Sequence, residues 1–117
     1  METLAAITAL SALAQNTRIE TFRLLVRHEP DGIPAGELAR LLDVPQNTMS
    51  AHLATLSRAG LVKSERQSRS IIYRADLDGL RELTLFLLKD CCGGSSDLCA
   101  PLIAELAPCC TMEGKPC

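Results

Sequence analysis

Residues 44–62 read VPQNTMSAHLATLSRAGLV, a stretch with helix signals at both of its ends. Proline is tolerated at the first position of a helix and glycine commonly ends one, so Pro45 and Gly60 bound a helix reaching to about Ala59. Its core face is marked by apolar residues at helical spacing, Met49, Leu53 and Leu56. Its other side carries short polar or small side chains, namely Gln46, Asn47, Ser50, Ala54 and Ser57.

A second, shorter helix precedes this one. Pro34 stands where a helix begins, and the pattern over residues 37–42 predicts a short helix that buries its three leucines, Leu38, Leu41 and Leu42. A tight link at Asp43-Val44 joins the two helices. Two short helices connected by a three- or four-residue turn are typical of a helix-turn-helix.

Two β-branched segments follow the helix pair. Residues 62–66 and 70–74 predict two strands, joined by Gln67-Ser68-Arg69, so they are expected to form a hairpin. Arg66 and Arg69 make the tip of this hairpin basic. A helix-turn-helix followed by a basic hairpin predicts a winged helix-turn-helix, a mainly α fold with a β-hairpin wing.

Helices are expected on both sides of this unit. Residues 4–14 form a first helix that is apolar nearly all round, and such a helix is either buried on two sides or lies in an oligomer interface. A second helix has Asn16 or Thr17 as its cap, with Glu20 completing a capping box. Its core face is expected at Ile19, Phe22, Leu25 and Val26, and a turn signal at residues 29–32 ends it.

The last long helix runs from a cap at Asp76 or Asp78 to about Asp90. It carries too many large apolar side chains for a single stripe, so one face serves the domain core and another serves a partner. These side chains are Leu77, Leu80, Leu83, Leu85, Phe86, Leu87 and Leu88.

Composition limits the class of protein. The chain has 117 residues, of which 47% are apolar and 22% charged, the balance of one globular domain. The run Leu85-Phe86-Leu87-Leu88 is too short to cross a bilayer. No Lys or Arg precedes Arg18, which does not fit a secretory signal. We therefore expect a cytoplasmic protein without a membrane partner.

Charge is distributed unevenly along the chain. The net charge is −2, yet residues 40–74 hold six basic and two acidic side chains, whereas the rest of the chain sums to −6. A basic segment in an acidic body indicates a polyanion partner, although a solvated face of mixed charge gives the same count. The basic residues are Arg40, Arg58, Lys63, Arg66, Arg69 and Arg74.

The exposed residues of the second helix suit DNA. A helix that enters the major groove, about 12 Å wide, needs short polar side chains near its N-terminus. Amide groups match adenine edges, and hydroxyl groups match phosphates or either base. The candidate reading residues are Gln46, Asn47, Thr48 and Ser50, and Arg66 and Arg69 of the wing are candidates for phosphate or a narrow minor groove.

Three segments together resemble the ArsR/SmtB family of metal-responsive repressors. They are residues 44–53 (VPQNTMSAHL), residues 56–62 (LSRAGLV) and the wing residues 66–69 with Tyr73-Arg74. The resemblance covers about residues 10–90. It implies a homodimer joined through the first and last helices, an operator DNA partner, and release from DNA when a ligand binds. His52 lies within the matched run, where it is expected to pack or to bond to a phosphate.

Three departures from the family pattern affect these expectations. Pro45 stands where the family usually has a Ser cap. Gln67-Ser68 replaces the usual Glu-Gly at the wing tip, so a longer or looser turn is expected, because a positive φ at a residue other than glycine costs about 1 kcal/mol. The family's best-known arsenic-responsive members carry Cys-Val-Cys on the helix before the recognition helix, but residues 37–42 contain no thiol. An inducer site must therefore lie elsewhere, or the protein is not a metal sensor.

All six cysteines lie in the last 27 residues. We therefore predict two regions: residues 1–90 for DNA binding and dimerisation, and residues 91–117 as a cysteine-rich sensing tail. Trivalent arsenic or antimony is satisfied by three thiolates, which Cys91, Cys92 and Cys99 supply once Gly93-Gly94 lets the chain fold back. A group of arsenic-responsive family members similarly places a Cys pair and a third Cys at the end of the last helix. Cys109, Cys110 and Cys117 repeat the spacing and are secondary candidates.

Other uses of the thiols stay open. Zinc or cadmium usually takes four ligands in Cys-x-x-Cys pairs, which are absent here, whereas a dithiol redox or persulfide switch needs only two nearby thiols. An arsenate reductase would need a cation beside its nucleophilic cysteine, and only Lys115 follows Cys91 among basic residues. A metal scavenger would explain the tail but not the DNA-reading half. We expect a binding protein, not an enzyme, with no organic cofactor.

Overall fold

A computed structural model describes residues 1–88 of the chain as five helices and three strands. In chain order these are α1 (Thr3–Leu13), α2 (Asn16–Arg27), β1 (Ile33–Pro34), α3 (Ala35–Leu41), α4 (Gln46–Arg58), β2 (Val62–Gln67), β3 (Ser70–Ala75) and α5 (Leu77–Leu88). The mainly α architecture with a hairpin wing is the predicted winged helix-turn-helix. The chain divides into a compact unit of residues 1–83 and a second unit from Thr84 onward.

The sheet is antiparallel with strand order β1-β3-β2. The hairpin pairs Val62 with Ala75 at its base and Gln67 with Ser70 at its tip. Strand β1 was not predicted, because it has only two residues and one of them is Pro34, which cannot donate a ladder hydrogen bond. It pairs with β3 through Ile33 opposite Tyr73, so the wing is attached to the segment between α2 and α3.

One aliphatic core joins the helices to the base of the wing. Its largest fully buried side chains are Leu25 of α2, Leu38 of α3, Leu61 before β2, and Met49, Leu53 and Leu56 of α4. Burial of each such side chain stabilises the fold by about 1.5–3 kcal/mol. The predicted core face of α4 is therefore confirmed.

Helix α1 carries its small residues inward and its large residues outward. Ala6, Ala9 and Ala12 are buried, whereas Leu4, Ile7 and Leu10 are exposed. The close alanine contacts seat α1 on the domain and leave an aliphatic face open. Of the two alternatives predicted for this helix, burial on two sides is not observed within residues 1–88, and a place in an oligomer interface stays a prediction.

The predicted start of α2 was wrong. The helix begins at Asn16, and its cap is Gln15, whose side-chain oxygen accepts the backbone N–H of Arg18 at 2.9 Å. Thr17 is consequently inside the helix, where its carbonyl accepts the hydroxyl of the buried Thr21 at 2.7 Å. Ile19, predicted to face the core, is 41% exposed, because Thr21, Phe22 and Leu25 occupy that face.

Helix α3 begins at Ala35, two residues before the predicted start, with Pro34 as its cap. Leu38 and Ala39 are buried, whereas Leu41, predicted to be buried, is 46% exposed. Successive helical residues are rotated by about 100°, so Ala39 and Leu41 lie on opposite sides of the helix. A helix of only seven residues packs one face against the core. Ala39 lies on that face, and Leu41 therefore points toward solvent.

The wing turn is tighter than predicted. Gln67 pairs directly with Ser70, so only Ser68 and Arg69 form the turn. Ser68 adopts φ 59, and it is the only one of these two turn residues with a positive φ, the pattern of a type II′ hairpin turn. The turn is compact because Ser68 adopts a positive φ at the position where the family usually has glycine.

Helix α5 begins as predicted beside Asp76, whose carboxylate accepts the backbone N–H of Gly79 at 3.2 Å. Only Leu83 of its residues is buried, which agrees with the predicted surplus of apolar side chains. The predicted helix end at Asp90, the domain boundary after it and all six cysteines lie outside the described residues. No helix within residues 1–88 is long and apolar enough to span a membrane.

Candidate nucleic-acid interface

The link between α3 and α4 fixes the orientation of α4. It comprises residues 42–45, and Asp43 adopts φ 54 within it, a conformation that aspartate tolerates better than most residues. The backbone N–H of Val44 donates to the carbonyl of Ala39 at 2.9 Å, which closes the turn. The four-residue link thus holds the two helices in the predicted helix-turn-helix relation.

The outer face of α4 is short, polar and open. Its core residues are fully buried, whereas the four candidate reading residues on this helix are all exposed: Gln46, Asn47, Thr48 and Ser50. No acidic side chain lies in its first turn. The described structure therefore brings amide and hydroxyl groups together on the first turn and a half of one helix.

The N-terminus of α4 lacks a side-chain cap. Pro45, predicted to be the first helical residue, is instead the cap residue, and its side chain has no group to accept a backbone N–H. Asn47 offers partial compensation, since its side-chain oxygen accepts the backbone N–H of Thr48 at 3.0 Å. Free N–H groups at a helix N-terminus favour phosphate, as does the helix dipole.

The wing presents its cations at the tip. Arg66 and Arg69 are exposed, and Arg69 occupies the two-residue turn. Among residues 1–88 neither arginine makes an ion pair. Both are therefore available to a polyanion from this end of the hairpin.

Two of the six basic residues in the predicted basic segment are neutralised by pairing. Arg74 donates from Nε and Nη2 to the carboxylate of Glu29, at 3.3 and 3.1 Å, and Arg40 pairs with Glu37. The hydrogen bonds from Arg74 to Glu29 and the charge of that carboxylate raise the pKa of Arg74. The effective cations of the segment are accordingly Arg58, Lys63, Arg66 and Arg69. The pairing of Arg74 could not be predicted from the sequence, because Glu29 is 45 residues away from it.

His52 is oriented toward α2. It is half-buried, and its Nδ1 lies 3.4 Å from Nη1 of Arg18. Burial is the main cause that lowers the pKa of His52, and the charge of Arg18 lowers it further. Arg18 was not identified as a site residue, and no local sequence signal links positions 34 residues apart.

The candidate thiol ligands lie beyond the described part of the chain. Within residues 1–88 no cluster of three or more His, Cys, Asp or Glu side chains is arranged to hold a metal ion. The predictions for Cys91, Cys92 and Cys99, and for Cys109, Cys110 and Cys117, therefore stay predictions.

Together, the fold and the exposed face of α4 define the class as a winged helix-turn-helix. A family model described as a helix-turn-helix domain matches residues 13–65. The transcriptional activator HlyU of Vibrio cholerae is 32% identical over 68 residues, which are 58% of this chain and 60% of HlyU. The regulator KmtR of Mycobacterium tuberculosis is 33% identical over 73 residues, which are 62% of this chain and 54% of KmtR. The matches thus span little more than half the length of these relatives.

Solved structures share the same architecture. An ArsR-like transcriptional regulator from Rhodococcus superposes with TM-score 0.66 at 28% identity, covering 89% of this chain and 93% of that one. The homodimeric winged helix-turn-helix domain of Mb0332 from Mycobacterium bovis gives TM-score 0.61 at 25% identity, covering 72% and 76%. A possible transcriptional regulator for arsenical resistance superposes with TM-score 0.60 at 27% identity, covering 85% of this chain and 96% of that one. These solved structures share the winged helix-turn-helix architecture of this chain.

Proposed function

We propose that this protein is a homodimeric transcriptional repressor of the ArsR/SmtB type that binds an inverted-repeat operator. The observation that carries the proposal is the exposed polar turn of α4 beside a hairpin whose tip holds two unpaired arginines. The relatives are transcriptional regulators, which supports the same class. The helix-turn-helix match and the regulators among the relatives support a DNA-binding regulator over an enzyme.

The two surfaces have different roles in this proposal. Gln46, Asn47 and Ser50 on α4 read base edges in the major groove, and Thr48 contacts either a base or a phosphate. Arg66 and Arg69 hold the phosphate backbone or a narrow minor groove beside it. His52, which is half-buried, bonds to a phosphate at the edge of the same surface.

Gln46→Ala is expected to weaken binding to the operator by about 1–3 kcal/mol and to relax specificity at one base pair. The reason is that a bidentate amide contact to adenine is lost while the phosphate contacts remain. Fluorescence anisotropy with operator and with single-substitution duplexes measures both effects. Equal weakening on operator and random duplexes would show that α4 is not the reading element.

Arg69→Ala is expected to weaken binding to all duplexes alike. The slope of log affinity against log salt should fall by about one for each phosphate contact removed. Arg23→Ala is the matched control, because Arg23 is an exposed arginine of α2 outside the proposed surface. An unchanged salt slope for Arg69→Ala, or an equal change for Arg23→Ala, would remove the wing tip from the interface.

Exposed aliphatic side chains support the homodimer. Leu4 is 75% exposed and Ile7 is 53% exposed on α1, and α5 carries exposed Leu77, Leu85 and Leu87. Leaving this many large apolar side chains in water is unfavourable. A two-fold symmetric interface would bury the same set from both protomers. We propose that α1 and α5 form the dimer interface, as the family resemblance implies.

Ile7→Glu is expected to raise the dimer dissociation constant at least about a hundredfold, because a symmetric interface would bury two unpaired carboxylates. Light scattering at micromolar concentration should give twice 12.6 kDa for the wild type and a smaller mass for the variant. Ile71→Glu is the control, since Ile71 is exposed to a similar extent but lies on the wing. A monomeric wild type would contradict the proposal.

The proposed inducer is trivalent arsenic or antimony, bound by Cys91, Cys92 and Cys99. Support comes from three thiols within nine residues directly after α5 and from the similarity to a possible regulator for arsenical resistance. The residue before α5 is bonded to the segment that follows α4, because the backbone N–H of Asp76 donates to the carbonyl of Leu61 at 2.8 Å. A ligand that reshapes α5 can therefore change the separation of the two reading helices.

The test of the function is a titration of the operator complex with arsenite, antimonite, cadmium, zinc and peroxide. Arsenite and antimonite are expected to release the DNA, and zinc is not. Release by peroxide alone would favour the second candidate, a thiol redox switch on the same fold, which needs only two neighbouring thiols such as Cys91 and Cys92. Transcription that requires the protein would instead favour activation, the role named for HlyU.

A further inference from the structure

Arg18 connects three elements around the recognition helix. Its backbone N–H is accepted by Gln15, the cap of α2, and its Nε donates to the carbonyl of Ala12, near the end of α1, at 2.6 Å. Its Nη1 lies 3.4 Å from Nδ1 of His52, in the middle of α4. One side chain thus spans the corner between α1 and α2 and reaches the helix that carries the reading residues.

The chemistry of this contact fixes the form of the imidazole. A guanidinium has donors only and is always charged, so Nδ1 of His52 must be the acceptor and carries no proton. A neutral imidazole with an unprotonated Nδ1 has its proton on Nε2. The second nitrogen of His52 is therefore a hydrogen-bond donor.

We propose that Arg18 is a positioning residue for DNA binding, which fixes His52 in its Nε2–H form so that this group donates to a DNA phosphate. The inference rests on the proposed function, and Arg18 itself contacts no DNA in it. Arg18 also holds α4 against the α1–α2 corner, so the reading helix keeps a constant relation to the proposed dimer helix. In the proposed function His52 is a phosphate contact. This inference specifies that its Nε2–H is the donor.

The electrostatics of the pair agree with this assignment. Burial first and the Arg18 charge second lower the pKa of His52, so the ring is neutral at neutral pH, as an acceptor Nδ1 requires. Protonation would place an N–H of the ring against the guanidinium. Because the folded-state pKa is below the ordinary value, His52 contributes stability that is lost as pH falls below about 6.5.

A double-mutant cycle on the full-length protein tests the inference. Arg18→Met keeps an unbranched apolar stem and removes the guanidinium donors. His52→Ala removes the proposed phosphate donor. Each single variant is expected to raise the operator dissociation constant about tenfold, the factor that 1.4 kcal/mol gives. Arg18→Met should have almost no further effect in the His52→Ala protein, because Arg18 acts through His52.

Two controls make the result specific. His52→Gln, whose amide N–H lies close to the position of Nε2–H, should keep more affinity than His52→Ala. Nitrogen-detected NMR of the free protein should show His52 in the Nε2–H form, and Arg18→Met should raise its pKa and mix its tautomers. An Nδ1–H tautomer in the wild type would overturn the proposal.

The remaining outcomes separate this inference from the proposed function. An equal tenfold loss for Arg18→Met in both backgrounds would mean that Arg18 only supports the fold or touches DNA itself, and it would overturn the positioning role. A wild type that binds no duplex would overturn the proposed function and the phosphate role together. The tautomer measured in the free protein would then still support or refute the Arg18–His52 contact.

Discussion

Gly79→Ala is expected to lower the free energy of unfolding by about 2–3 kcal/mol, although alanine is the better helix former. A Cβ at position 79 would lie 1.9 Å from the carbonyl oxygen of Gly60, far inside van der Waals contact. The obstructing atom is backbone and cannot rotate away. The start of α5 must therefore move from the turn that ends α4, and this costs more than the roughly 1 kcal/mol gained in helix propensity.

Gly36→Ala is the matched control for this substitution. Gly36 also lies in the first turn of a helix, but a Cβ there would meet only Nε2 of Gln46, at 3.6 Å, an ordinary contact. This variant should be as stable as the wild type or more stable by up to about 1 kcal/mol. Chemical denaturation of both variants gives the comparison, and an unchanged or increased stability of Gly79→Ala would contradict the packing of α5 described here.

Replacing Cys91, Cys92 and Cys99 by serine together is expected to abolish the arsenite response while leaving operator affinity unchanged. The wild type should lose about a hundredfold in affinity on binding arsenite, which corresponds to about 2.7 kcal/mol of coupling. Serine is close in size to cysteine but does not supply a soft thiolate, so trivalent arsenic loses its three ligands. Anisotropy of labelled operator with increasing arsenite measures the loss.

The individual cysteines sharpen this prediction. Cys91→Ser or Cys92→Ser alone should abolish the response, because two thiolates bind a trivalent centre incompletely. Cys117→Ser is the control and should change the arsenite response little, since Cys117 belongs to the secondary set of thiols. Release of the operator by arsenite from the protein lacking Cys91, Cys92 and Cys99 would move the site to Cys109 and Cys110.

The elements with strong local signals were predictable from the sequence. Helix α4 combines a start at Pro45, a stop at Gly60 and apolar residues at helical spacing, and the structure gives it within one residue of the predicted ends. The hairpin was predicted from β-branched residues on either side of a short polar link, and both strands are present. Periodicity and turn chemistry are local, so they are available without the tertiary structure.

Features that depend on distant partners could not be predicted. Ile19 and Leu41 fit the helical pattern of a core face, but other side chains fill those positions once the helices pack. The pairing of Arg74 with Glu29 removes a cation from the proposed interface, and the contact between Arg18 and His52 places Arg18 behind it. Nothing in the local sequence around these residues indicates which distant side chain each will meet.

Selection of bound duplexes from a random pool tests whether a dimer of this chain reads DNA through α4. The wild type should select an inverted repeat with half-sites one helical turn apart, about 10 base pairs centre to centre. At physiological salt its affinity for that sequence should exceed its affinity for a shuffled duplex at least about a thousandfold. Selection of no common sequence, with equal affinity for the selected and shuffled duplexes, would contradict the account.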